Sequence, residues 1–178
     1  SVGRHVSYKG YDYLIKAFSK LPEDSYLYLG GIGPETPKLQ EFTRSLNLEK
    51  RVRFIGYIPD EDLGSYVNAC DVFCFSSISQ NEAYGITQIE AMLLEKPVVG
   101  FELYNGTTFV NKNNVTGLVV ENKNINAYAE ALLLLKNNPP LRQKLGRQAK
   151  ERASQLFSVE KMVSDTVKLY KEVTSQPQ

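Results

Sequence analysis

The sequence has few of the residues on which metal and nucleophile chemistry usually depend. His5 is the one histidine in 178 residues. That argues against a zinc cluster or a Ser-His-Asp triad within the chain, and His5 is given no role. Cysteine is nearly as scarce. Cys70 and Cys74 end a helix-like run and sit in a strand-like run respectively, and they read as two buried free thiols of a reducing compartment. An excess of charge is missing too: 21 basic against 20 acidic residues leave a net charge of +1. There is no electrostatic case for a nucleic-acid partner or for direct contact with an anionic membrane. No apolar run is long enough to span a bilayer, and no stretch reads as a signal peptide. Internal repeats and low-complexity segments are likewise missing. With 42% hydrophobic and 23% charged residues, the composition is that of an ordinary soluble domain with a real core.

What is present centres on Asn81–Leu94, NEAYGITQIEAMLL. It begins as a polar turn and becomes an apolar helix, with Ile86, Ile89, Met92 and Leu93 at helical spacing. Gly85 falls where turn meets helix, and without a Cβ it lets a ligand approach the backbone. The first amides of a helix have no partner within it, and the dipole there favours an anion. The stretch is a candidate phosphate cradle. Glu82 in the turn and Glu90 in the helix flank it, each able to accept hydrogen bonds from hydroxyls. A sugar linked to a nucleoside through a diphosphate offers such hydroxyls at both ends.

The rest of the chain alternates short apolar strands with helices. Strands are expected at Tyr26–Leu29, Val52–Ile55, Val72–Phe75, Val98–Phe101 and Leu118–Val120. Helices are expected at Asp12–Leu21, Glu35–Leu46, Asp60 (as N-cap) to Ala69, Ala127–Leu135 and Leu141–Leu156. This order predicts parallel βαβ units in a doubly wound α/β sheet, with ligands outside the carboxyl ends of the strands. Arg4, Gly31, Gly56 and Ser76–Gly85 should gather at that edge. Ser1–Arg4 looks like the tail of a strand and predicts a longer protein. A last helix, capped near Ser158, carries a stripe of Val159, Met162, Val163, Val167, Tyr170 and Val173. The stripe packs either on this sheet or on another domain.

These elements carry a resemblance. Glu82, seven residues, then Glu90, with Tyr84-Gly85 between, resembles the paired-glutamate motif of retaining GT-B glycosyltransferases, especially glycosyltransferase family 4. Its companions follow in order: Val2-Gly3-Arg4 with Lys9-Gly10, Gly30-Gly31-Ile32-Gly33-Pro34-Glu35, Arg51–Pro59, Ala69–Val72 with Phe75-Ser76-Ser77, Lys96–Val99 and Asn114–Val119. The resemblance covers Val2 to about Tyr170. It implies a Rossmann-like, nucleotide-sugar-binding domain over residues 1–178, the C-terminal half of a GT-B fold. The N-terminal, acceptor-binding domain would lie outside this chain, with helix 158–175 crossing to it.

The same resemblance implies roles. Arg4 and Lys9 would hold the diphosphate and stabilise it as it leaves. Amides around Tyr84, Gly85, Ile86 and Thr87 would cradle the distal phosphate. Glu82 would hold a donor-sugar hydroxyl, Glu90 the ribose hydroxyls, and the turns at Gly31 and Ile58 would border the base. No divalent metal or other cofactor is expected, because cations and amides can take the ion's place. The expected donor is a UDP-sugar or GDP-mannose, the acceptor a saccharide or lipid-linked saccharide, and the location cytoplasmic or peripheral to the inner membrane face. Two features depart from the family pattern: Thr108 stands where a glutamate is common, and Tyr84 where phenylalanine is more usual. A non-catalytic nucleotide- or phosphate-binding module and a sugar-nucleotide epimerase are the alternatives.

Overall fold

The computed structural model describes residues 1–175. In chain order the elements are α1 (Tyr11–Phe18), β1 (Leu27–Gly30), α2 (Thr36–Ser45), β2 (Val52–Gly56), α3 (Asp60–Asn68), β3 (Phe73–Phe75), α4 (Ile86–Leu93), β4 (Val98–Phe101), α5 (Gly106–Val110), β5 (Gly117–Val120), α6 (Ile125–Asn137), α7 (Pro139–Leu156) and α8 (Val159–Thr174). A single 3-10 turn, Ser7–Lys9, precedes α1.

All strand pairs are parallel, as the alternation predicted. Their hydrogen bonding runs in two pieces, β1-β2 and β3-β4-β5, rather than through one continuous sheet. Alongside β1, Val2 makes a parallel bridge to Gly30. The Gly30 amide donates to the Ser1 carbonyl at 2.9 Å. Beside it lies a cavity of about 620 Å³, lined among others by Leu27, Tyr28, Phe73 and Cys74.

Helices cover both faces, and the two-residue period of the strands sorts the core between them. Phe73, Phe75 and Val98 face α3, α4 and α7, where Val67, Met92 and Ala149 meet them. Cys74, Val99 and Phe101 face α1 and α6, packed with Leu14, Ile15 and Leu135. Each large apolar side chain withdrawn from water here contributes roughly 1.5–3 kcal/mol.

Several sequence expectations shift. Asp60 is the first residue of α3 and makes no cap bond; Pro59 holds the cap position. The Pro139-Pro140 pair opens α7 instead of preceding it, because a first-turn proline has no amide to waste. Asn138 caps that helix by accepting from Leu141 N at 3.0 Å. Helix α1 stops at Phe18, short of Leu21. Ile86 and Leu93, read as part of an apolar stripe, are exposed, and α4 buries Gln88, Ile89, Ala91 and Met92. Cys74 is buried but Cys70 only half-buried, and both are free. Ser158 does cap α8, accepting from Lys161 N at 3.1 Å. The described residues of α8 are all exposed, so its stripe does not pack on this sheet.

Candidate active site

The carboxyl ends of the strands bring the singled-out turns together. Gly3 N donates to Gly30 O, and Gly31 N to Gly56 O. Ile58 folds back so that its Cδ1 covers Gly30, leaving Tyr57 exposed. The turn after Arg4 is docked on the segment leaving β3. There Ser76 Oγ donates to Lys9 O at 2.8 Å and Ile78 N to Tyr8 O at 2.9 Å. That docking aims the Lys9 side chain at Glu82, 73 residues away, with which it forms an ion pair. The Lys9 ammonium also lies 5.7 Å from the Phe75 ring centroid. Arg4 is exposed at the same edge.

Glu82 is held from three sides. Its Oε2 accepts from Lys9 Nζ and from Ser77 Oγ, the latter at 2.8 Å. Ser77 is buried at the end of β3. The Glu82 carbonyl accepts from Asn105 Nδ2 at 2.7 Å.

The carbonyls of the turn from Glu82 to Gly85 are engaged by two elements. Glu82 O accepts from Asn105 Nδ2 and Ala83 O lies where a Cβ on Gly106 would be, both at the start of α5. Tyr84 O accepts from Gln88 Nε2 at 2.8 Å and Gly85 O from Gln88 N at 3.0 Å, both on α4. Among the described residues, no acceptor is found for the amides of Tyr84, Gly85, Ile86 and Thr87. Gly85 is left-handed, at φ 74°, and packs so tightly on Phe75 that a Cβ would strike the ring. Only glycine permits both conditions. The result is a run of free amides at the N-terminus of α4, which suits an anion. The Tyr84 ring leans on Phe157, 5.8 Å between centroids, so its side chain is not part of that run.

Glu90 lies one turn further along α4 and is half-buried. Burial, and secondarily the negative charge of Asp60 on α3, push its carboxyl above the usual range. His5 is fully buried and structural. Its Nδ1 pairs with Thr36 Oγ1 at 2.9 Å, its ring meets Tyr11 edge-on, and desolvation holds its pKa low.

Two polar residues at this site, Gln88 and Asn105, were not singled out in the sequence, and Ser77 was named only within its motif, without a role. Asn105-Gly106-Thr107 carries a helix-cap signal that would have announced α5, with Asn105 Oδ1 accepting from Thr107 N at 3.0 Å. Gln88 carries no such signal, because its value comes from the two carbonyls that the fold places beside it.

A match to the family described as Glycosyl transferases group 1 runs over residues 1–152. The chain belongs to that family. It is 30% identical over 171 residues to O-antigen chain mannosyltransferase C of Escherichia coli, covering 95% of this chain and 45% of that protein. Among solved structures, TarM of S. aureus, crystallised with UDP, superposes with a TM-score of 0.85 at 26% identity, covering 95% of this chain and 34% of TarM. HepE of Anabaena, in complex with UDP-glucose, gives a TM-score of 0.85 at 25% identity, over 98% of this chain and 48% of HepE. The chain thus spans less than half the length of these relatives. Its fold is the C-terminal half of a GT-B glycosyltransferase, as the motif series predicted.

Proposed function

We propose that this chain is the donor-binding half of a retaining glycosyltransferase. The enzyme would transfer a hexose from a nucleoside diphosphate sugar to a saccharide or lipid-linked acceptor. One observation carries this reading. The Lys9–Glu82 pair, tied by Ser77, stands beside free amides at the mouth of α4, with Glu90 one turn beyond. TarM and HepE, solved with UDP and UDP-glucose, support a nucleotide-sugar donor for so similar a fold.

In this reading the amides of Tyr84, Gly85, Ile86 and Thr87 hold the distal phosphate. Arg4 and Lys9 meet the charge that grows on the diphosphate as it leaves, Arg4 as a fork and Lys9 as a point charge. No divalent metal is needed for that task. Glu82 orients the sugar through a hydroxyl, and Glu90 accepts from the ribose hydroxyls. Gly31 and Ile58 border the base. The acceptor comes from a separate N-terminal domain, and α8 carries its apolar stripe across to that domain. We assign the work to the cytoplasm, where nucleotide sugars are made. Among the described residues, no helix is long and apolar enough to cross a membrane.

Ligand-observed NMR tests the reading. The chain is titrated with UDP-glucose, UDP-N-acetylglucosamine, GDP-mannose and ADP-glucose, with and without EDTA, beside a Glu90→Ala variant. Binding of one base class, unchanged by EDTA and lost in the variant, is the expected result. Equal binding by the variant would favour a phosphate-binding module without glycosyl chemistry. Loss on adding EDTA would remove the metal-free mechanism.

A further inference from the structure

Asn105 lies in the segment where this sequence departs from the pattern of its family, and its side chain is fixed in both directions. Its Oδ1 accepts from Thr107 N at 3.0 Å and from Thr107 Oγ1 at 2.7 Å. With the oxygen committed to two donors, the amide nitrogen must face the other way, and there it donates to Glu82 O at 2.7 Å. Thr107 is buried, and its carbonyl accepts from Gln88 Nε2 at 3.1 Å. The same Gln88 nitrogen holds Tyr84 O. A circuit therefore leaves the turn at Glu82, runs through Asn105, Thr107 and Gln88, and returns to the turn at Tyr84. Gly106 closes it, since any Cβ there would collide with Ala83 O.

The circuit grips the turn from its carbonyl side. The same turn carries the Glu82 carboxylate, held by Lys9 and Ser77, and the free amides from Tyr84 to Thr87. We propose that Asn105 is a positioning residue that fixes the Glu82 carboxylate relative to the phosphate cradle, so that the site reads sugar and diphosphate together. The proposal rests on the reading of Glu82 as the sugar contact. It goes beyond that reading by naming what sets the spacing between the two subsites. A free nucleoside diphosphate touches the cradle but not Glu82, so its binding does not depend on that spacing. A nucleotide sugar depends on it.

The substitution that isolates this role is Asn105→Asp. Aspartate keeps the Oδ1 that caps α5 and replaces the donor facing Glu82 O with a second acceptor. Calorimetry of wild type, Asn105→Asp and Glu82→Gln compares UDP-glucose with UDP, and GDP-mannose with GDP. For the pair that wild type binds, Asn105→Asp weakens the nucleotide sugar about tenfold, a loss of about 1.4 kcal/mol, and leaves the diphosphate within about twofold. Glu82→Gln, which also removes the Lys9 partner, is selective in the sense that it weakens the nucleotide sugar more than the diphosphate. If Glu82→Gln is selective and Asn105→Asp is not, the proposal falls and the reading of Glu82 stands. An equal loss for both ligands in Asn105→Asp also overturns it, because that is mere scaffolding. If Glu82→Gln leaves sugar binding intact, or wild type binds neither pair, the reading and the proposal fall together. Should Asn105→Asp not fold, Asn105→Ser carries the same test, as a good helix cap too short to reach Glu82 O.

Discussion

Glu90 has a task that its surroundings resist. To accept from ribose hydroxyls it must be ionised, yet burial and the charge of Asp60 raise its pKa above the ordinary 4.5. A carboxyl whose folded value is raised favours the fold where it is protonated, and that favour is lost as pH rises through the raised value. At pH 7, ionised Glu90 therefore weighs against the unliganded fold. Glu90→Gln should raise the thermal midpoint at pH 7 by no more than about 2 °C, solvent screening of a half-exposed group being allowed for. The gain should shrink toward zero as pH falls below about 3.5, where the carboxyl is protonated folded and unfolded alike. A lower midpoint at pH 7 would mean that the carboxylate supports the fold. Glu90 and Glu82 were legible in the sequence, because their spacing and the intervening glycine are local features. Asn105 was not legible as part of the site. Its partner lies 23 residues away, and only the packing of α5 on the turn brings them together.

At the scale of elements, the strands were readable because apolar runs ended by glycine or polar turns need no long-range information. Helix α5 shows no period, five residues being too few, and its one local signal is the Asn105 cap. The expected helix Leu141–Leu156 did put Gly146 inside α7, but did not show what it packs against. By propensity alone, alanine there would stabilise the helix by about 1 kcal/mol. The packing reverses that sign. Helix α7 crosses the end of α4 so closely that a Cβ on Gly146 would strike the Glu95 carbonyl. Gly146→Ala should destabilise the chain by about 1–3 kcal/mol, because backbone cannot yield as a flexible side chain can. Urea unfolding measures it. A variant as stable as wild type or more so would show that α7 can slide outward at little cost, and the α4–α7 contact would then not fix the helix that carries Glu90.

For the molecule as a whole, the sequence left α8 with two homes, this sheet or another domain, and periodicity could not choose between them. A hydrophobic stripe reports that a face is covered but not by what. The structure removes the first home: Met162 is 62% exposed, Val167 45% and Tyr170 68%. A stripe outside the core should contribute almost nothing to the stability of this chain, however apolar it is. Replacing Met162 and Val167 together by serine should leave the unfolding free energy within about 0.5 kcal/mol per site. The same apolar area, exposed on one amphipathic helix, should make the chain self-associate as its concentration rises. Sedimentation velocity should show that tendency in wild type and its loss in the double variant. The two readouts separate the possibilities. Lost stability would mean that α8 folds back on its own domain in solution. Unchanged stability with unchanged association would mean that the stripe is too weakly apolar to hold any surface, and α8 could then not be the element that joins this domain to another.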